Sequence, residues 1–452
     1  MLKRSISAVI AITMVMGMCS CSETSSGTFP QQPEPSSFTG DVPQPEPPEA
    51  TIGSGAVQLT ANYSFDPVQS SGTNDEDFIS VINKFSSGLF RTAVSEDLAK
   101  GKNTLISPES AAFALGMAAS GAGGNTLAQM QNVICGGIPI DKFNKNMNLL
   151  ISNAHNNNTQ SSKLNIANSV WVKNDDRLAV KDQFARDCKQ MYNAELFTAP
   201  FDDSTVNSLN SWVSTKTDNM IPTLINHFTG KEIMCLVNCV AFDSKWQKEY
   251  TEDMISGNGS FTNASGEKVE CTMLCSTEGQ YVENERAKGF VKEYEGGKYA
   301  FMAVLPNEDI SIADYVSTMS DDELTSLYDN RLISCDVDTR MPQFRFDHSS
   351  NLEETLQKMG IKDAFTDDAD FKNIFQGKNA AINRVIHKTH IEVDAKGTKA
   401  AAATAVTMRE NAVEAKKESK QVYLDTPFVF AIIDKHTGIP VFMGTLCDPG
   451  AN

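Results

Sequence analysis

Basic residues are scarce in this sequence: 39 Lys and Arg stand against 57 Asp and Glu in 452 residues, a formal net charge of −18. No Lys/Arg-rich run could track a phosphate backbone, so nucleic acid is not expected as a partner. Metal-ligand spacings are missing as well. The six histidines are scattered, HExxH does not occur, and no CxxC or CxxH is found among the ten cysteines, so no metal site is expected. There is no GxSxG elbow, and the glycine cluster from Gly121 to Gly124 lacks the Lys-Ser/Thr of a phosphate loop. With no nucleophile set beside a base and no cofactor motif, an enzyme is the weaker reading.

What is present is ordinary globular composition, 40% hydrophobic and 21% charged, with two unusual ends. Lys3 and Arg4 precede the apolar run Ile6–Met18, which is too short to span a bilayer and has the order of a secretory signal covering residues 1–20. The following Met18-Cys19-Ser20-Cys21-Ser22 resembles a bacterial lipobox, with Cys21 as the acylated thiol, although Met18 stands where the motif prefers Leu. The expected location is extracellular, either secreted or held at the bacterial cell-surface membrane by a lipid anchor. From Ser22 to Asp77 there are nine acids and no Lys or Arg, and seven of the 17 prolines fall between Ser22 and Ala50. Residues 21–76 therefore read as a solvated tether. Setting aside those acids and Lys3 and Arg4 leaves 48 acids against 37 bases, so the body is only mildly acidic.

Eight cysteines remain beyond the signal region. Cys235 and Cys239 lie in a strand-like run, where residues four apart share a face about 13 Å apart, too far to bond. Free buried thiols are expected.

Helical periodicity places a helix from Asp77 to Val94, and Ser107-Pro108-Glu109-Ser110 opens a second over Ala111–Ser120. Helical segments follow at Val180–Tyr192 and Val206–Asn219. Short β-branched or aromatic runs at Leu164–Val172, Cys235–Phe242, Tyr299–Leu305, His387–Val393, Phe428–Ile433 and Val441–Leu446 predict strands. His387 and His390, three apart on a strand, face opposite sides and form no ligand pair. Helices come early and strands dominate late, so the class is α+β.

One segment fits no element. Gly397–Lys420 has no aromatic residue and no proline, with small residues first and charged residues last. Its apolar positions form no continuous stripe, which points to an exposed, protease-sensitive loop between two strands.

In this setting the chain resembles a serpin over residues 77–449. Asn103 with Ser107-Pro108 and Ser110 resembles the opening of the helix beneath the family's main sheet. Leu164-Asn165-Ile166-Ala167-Asn168 leading to Trp171 resembles the next strand, and Asn238, Phe242 and Trp246 resemble the strand and Trp of the breach. His387-Lys388 leads into a hinge-like Gly397-Thr398-Lys399-Ala400-Ala401-Ala402-Ala403-Thr404. Pro427-Phe428-Val429-Phe430 and Phe442-Met443-Gly444 resemble the C-terminal signature.

The resemblance implies three β-sheets, eight or nine helices, a monomer without a cofactor, and a reactive-centre loop that a serine protease cuts. The cut loop then inserts into the main sheet and traps the acyl-enzyme. Ser107, Pro108, Ser110, Asn238, Trp246 and His387 would form the breach and shutter. Alternation puts Thr398, Ala400, Ala402 and Thr404 inward and Lys399 outward. Two positions depart from the family, Ala395 and Lys399, both commonly Glu, which implies slower insertion. The family offset of fourteen residues from Gly397 places the scissile bond at Asn411-Ala412. Met408, Arg409, Glu410 and Val413 compete with it. Local Ala, Val and Met favour an elastase-like or subtilisin-like protease, whereas cleavage after Arg409 would suit a trypsin-like one. The alternatives are a serpin cut without insertion, and a surface adhesin or binding lipoprotein.

Overall fold

The computed structural model describes residues 55–67, 73–377, 380–398 and 418–451. The signal, Cys21, most of the tether, Lys399–Thr404 and the bonds around Asn411 lie outside the described residues.

Among the described residues, nine α-helices and three sheets form the α+β architecture expected. The seven-stranded main sheet runs, edge to edge, Val57–Gln58, Glu195–Ala199, Ser162–Lys173, Met234–Lys245, Gly397–Thr398, Arg384–Val393 and Phe344–Asn351. A nine-stranded sheet stacks behind it and includes the antiparallel hairpin Phe428–Asp434 and Pro440–Leu446. A two-stranded ladder joins Leu178–Val180 to Phe375–Gly377.

Alternation on the strand Met234–Lys245 decides what each face of the main sheet meets. Cys235, Val237, Cys239 and Ala241 pack with Trp171, Phe197, Leu209 and Trp212, so the helix Asp203–Lys216 covers one face. Val240 and Phe242 point the other way, into a cluster with Trp246, Tyr294, Phe301 and Phe430. Beneath the lower half lies the helix Pro108–Gly121. Its start is set by Ser107, whose side chain accepts from the Ser110 N–H, and by Pro108 in the first turn. Thirteen of its fourteen residues are buried, which its Ala and Gly content permits. At Gly116 a Cβ would stand 2.3 Å from the Tyr192 hydroxyl.

The helix expected over Val206–Asn219 runs Asp203–Lys216, and two other boundaries differ from the sequence reading for a visible physical reason. The folded body begins before residue 77. Val57–Gln58 pairs with Thr198 and Phe197, and Leu59, Tyr63 and Phe65 pack against the core. These apolar residues sit in short clusters without period, so the acidic, proline-rich run ahead of them masked the change. The helix expected from Val180 starts at Asp182, because Leu178–Val180 is drawn into the small ladder. All eight described cysteines are free. Burial pushes the thiols of Cys135, Cys235 and Cys239 up to about 12, which keeps them protonated and unreactive.

Candidate functional site: a split in the main sheet

Met234–Lys245 and Arg384–Val393 run parallel and are hydrogen-bonded at one end only, where Cys235–Asn238 faces Arg384–His387. Among the described residues no ladder joins 239–243 to 388–392. At the far end Gly397–Thr398 stands between the two strands, antiparallel to both. Gly397 faces Lys245, and Thr398 faces Ser244 on one side and Val393 on the other. The sheet is thus closed below, divided in the middle, and held apart above by the first two residues of the loop.

The upper end is built by a tight turn and an aromatic wall. Asp394 Oδ1 accepts from the N–H groups of Lys396 (2.7 Å) and Gly397 (3.0 Å), which fixes the reversal. Gly397 is required by space: a Cβ there would lie 2.1 Å from the Ser244 carbonyl oxygen. Thr398 is 2% exposed and its hydroxyl meets that of Tyr294 at 2.6 Å, so its side chain lies on the inward face. Trp246 stacks on Tyr294 at 4.5 Å and donates its indole N–H to the Asp394 carbonyl at 2.8 Å. Ala395 gives its carbonyl to the Tyr250 N–H at 2.9 Å. Behind this wall the Lys292 ammonium lies over Tyr250 and pairs with Glu278 at 2.7 Å. Burial pulls the Lys292 pKa down, and Glu278 opposes that shift.

The lower closure is a buried polar junction. His387, 3% exposed, accepts the Ser107 N–H on Nε2 at 2.9 Å, which assigns its proton to Nδ1. Burial, with His348 nearby, drives its pKa down to about 3, so the ring is neutral. Asn238 donates to Asn168, which in turn donates to the Tyr192 carbonyl at 3.0 Å. Asn238 Oδ1 and Ser110 Oγ are buried without a hydrogen-bond partner among the described residues. In a close-packed region such atoms are costly, which marks this junction as the place where the ladder is easiest to exchange.

The structure therefore brings Ser107, Ser110, Asn238 and His387 to one end, with Pro108 starting the helix beneath them. Trp246 lies at the opposite end with Thr398. Tyr294, Tyr250 and Lys292 were missed in the sequence, since they carry no motif and meet Trp246 only through the sheet behind.

A split sheet whose upper gap is started by Gly397–Thr398, ahead of a small-residue run, matches one family. The serpin profile, described as serine protease inhibitor, covers residues 80–449. This chain is a serpin. It is 28% identical over 376 residues to an uncharacterised serpin-like protein of Thermococcus kodakarensis, covering 82% of this chain and 85% of that one. Human neuroserpin is 26% identical over 364 residues, covering 77% and 86%. Tengpin, a thermophilic serpin, superposes in its native state with a TM-score of 0.80 at 37% identity, over 87% of this chain and 100% of that one. Tengpin in its latent state gives 0.71 at 34% identity, over 83% and 99%. The serpin thus lies nearer the native arrangement than the latent one. Serpins generally act as protease inhibitors rather than as enzymes.

Proposed function

We propose that this serpin is a suicide inhibitor of a serine protease, presenting the segment between Thr398 and Glu418 as bait and inserting it, once cut, into the main sheet. The observation that carries the reading is the divided ladder, with Thr398 already seated where an inserted strand would begin. Continuing that register, inserted residues Lys399 to Ala403 would face Asp243 to Cys239, and Thr404 would reach Asn238. Ala400, Ala402 and Thr404 would then point inward like Thr398, and they are small enough to enter. Beyond Ala403 the strand would have to displace the Asn238–His387 pairing, which joins insertion to the polar junction below.

An inserted strand of about fifteen residues makes backbone bonds worth about 0.5–1.5 kcal/mol each, against an ordering cost of about 1–2 kcal/mol per residue. The net drive therefore comes from relaxing the split sheet. The Ala, Val and Met around Asn411 support an elastase-like or subtilisin-like target, and Arg409 offers a trypsin-like one a second bond. The lipobox-like Cys21 and acidic tether support display of a monomeric inhibitor at a bacterial surface. Incubation with a panel of such proteases, read as SDS-stable complex and residual activity, tests the reading. Cleavage of the loop by every protease with full recovery of activity would leave a non-inhibitory serpin instead.

A further inference from the structure

A cavity of about 380 Å³ lies away from the split, between the C-terminal end of the helix Ile140–Asn156 and the turn of the hairpin Phe428–Asp434 and Pro440–Leu446. Its volume is that of a small-molecule site. Leu150, Ala154, Leu164, Ile439 and Val441 give it apolar walls. The rest of the lining is polar, with Thr73, Asn153, Asn157 and Thr437 beside the ionisable groups, and those ionisable groups are unevenly paired. Glu109 lines it at 5% exposure, and among the described residues no hydrogen bond reaches its carboxyl. The Lys298 ammonium is already used, donating to the Asn153 carbonyl at 2.9 Å and facing Asp434 at 4.0 Å. The Tyr299 hydroxyl, next to these groups, is buried and also lacks a hydrogen-bond partner among the described residues.

Two carboxyl groups thus share one ammonium in a half-apolar recess, and among the described residues one of them accepts no hydrogen bond. A buried carboxyl without a partner is costly, and a second cation would satisfy it. Among the described residues no group of three or more His, Cys, Asp or Glu side chains is placed to hold a metal ion, and the apolar walls call for an organic body. We infer that this cavity binds a small organic ammonium with an apolar body, the size of an aralkylamine, its charged end on Glu109.

The electrostatics agree with this chemistry. Burial, with Asp434 adding to it and Lys298 opposing it, pushes the Glu109 carboxyl up to about 8. The groups facing it are Lys298, just ahead of the strand Tyr299–Pro306, Tyr299 at the start of that strand, and Asp434 and His436 from the hairpin turn; the helix Ile140–Asn156 contributes a neutral carbonyl, and Leu164 is apolar. Below that value Glu109 is protonated in the free protein. An ammonium favours the carboxylate, so its binding releases the Glu109 proton to solvent.

The test is calorimetric titration of the whole chain with phenethylammonium at pH 6, 7 and 8, beside 2-phenylethanol and 3-phenylpropionate. The ammonium should bind saturably and the other two should not. Its affinity should rise by up to about tenfold per pH unit and level off above 8. Glu109→Gln should lose at least about tenfold in affinity at pH 8 and abolish the slope, with its melting temperature reporting that the near-isosteric variant folds. Equal binding of the alcohol, no saturable binding of the ammonium at pH 8, or an unchanged affinity in a folded Glu109→Gln variant would overturn the assignment. Should that variant not fold, a flat pH profile in the unmodified chain overturns it equally.

Discussion

The hydroxyls of Thr398 and Tyr294 meet at 2.6 Å beneath the upper end of the main sheet, and this contact holds the second residue of the loop strand inward before any cleavage. Thr398→Arg would force a charge into a site that is 2% exposed. The expected result is a shift from inhibitor to substrate, with at least about tenfold more serpin consumed per protease trapped, measured by titrating residual protease activity.

Gly397 gives an independent steric check. Its Cβ would stand 2.1 Å from the Ser244 carbonyl oxygen and 2.8 Å from Lys245 Cα, and backbone cannot swing aside as a side chain can. Gly397→Ala should displace the hinge and slow complex formation by an order of magnitude or more. Stopped-flow inhibition rates matching the unmodified protein would refute the seating described above.

Extending the register from Thr398 makes Ala402 and Thr404 inward positions of an inserted strand. Ala402→Arg or Thr404→Arg should block insertion, whereas Ala403→Arg, outward, should be tolerated. Comparable complex yields from all three on SDS gels would contradict the register.

Much of this was readable in the sequence because the decisive signals are local. The helix Glu76–Leu98 shows its period in Phe78, Ile82, Phe85, Leu89 and Phe90, and the strand Met234–Lys245 is apolar up to Phe242 apart from Asn238. Gly397 followed by small residues needs no neighbour to be noticed. Less was readable where polar residues are buried by tertiary contacts. The helix Ile140–Asn156 is rich in Asn, yet the side chain of Asn146 accepts the Asp75 N–H and that of Asn148 donates to the Asp66 carbonyl, so composition hid its amphipathic face. The strand Lys268–Glu283 carries acids and Gly on a half-exposed ladder and shows only weak alternation. Lys292 looks like a surface residue until the fold sets it on Glu278 and Tyr250.

That ion pair carries a stability prediction. With Lys292 3% and Glu278 11% exposed in their side chains, Glu278→Gln leaves a buried ammonium without its counter-charge. Loss of one partner of such a pair costs about 3 kcal/mol or more, which should lower the temperature of heat inactivation. Glu278→Gln with Lys292→Met together should recover most of the loss. A double variant as labile as the single one would assign the effect to something other than the unpaired charge.

His387 supplies a pH dependence of definite sign. Its folded pKa, about 3, lies below the usual histidine value of 6.5. The unfolded chain therefore binds the proton more readily. The stability from keeping this ring neutral is complete above 6.5 and is lost as pH falls from 6.5 towards 3, at a slope of up to about 1.4 kcal/mol per pH unit. Denaturation followed from pH 7 to pH 4 should show the slope reduced in His387→Gln. An identical slope in that variant would show that other groups carry the acid sensitivity.

The central claim is that the split between Met234–Lys245 and Arg384–Val393 is a slot for the cut loop, and the melting temperature of the loop-cleaved protein tests it most directly. A strand that enters the slot makes roughly a dozen backbone bonds, and its entry relaxes the split sheet, which supplies the net gain over the cost of ordering the loop. Cleaved wild-type protein should therefore melt more than about 10 °C above the intact form, and cleaved Thr398→Arg should not. An unchanged melting temperature after cleavage of the wild-type loop would contradict the account.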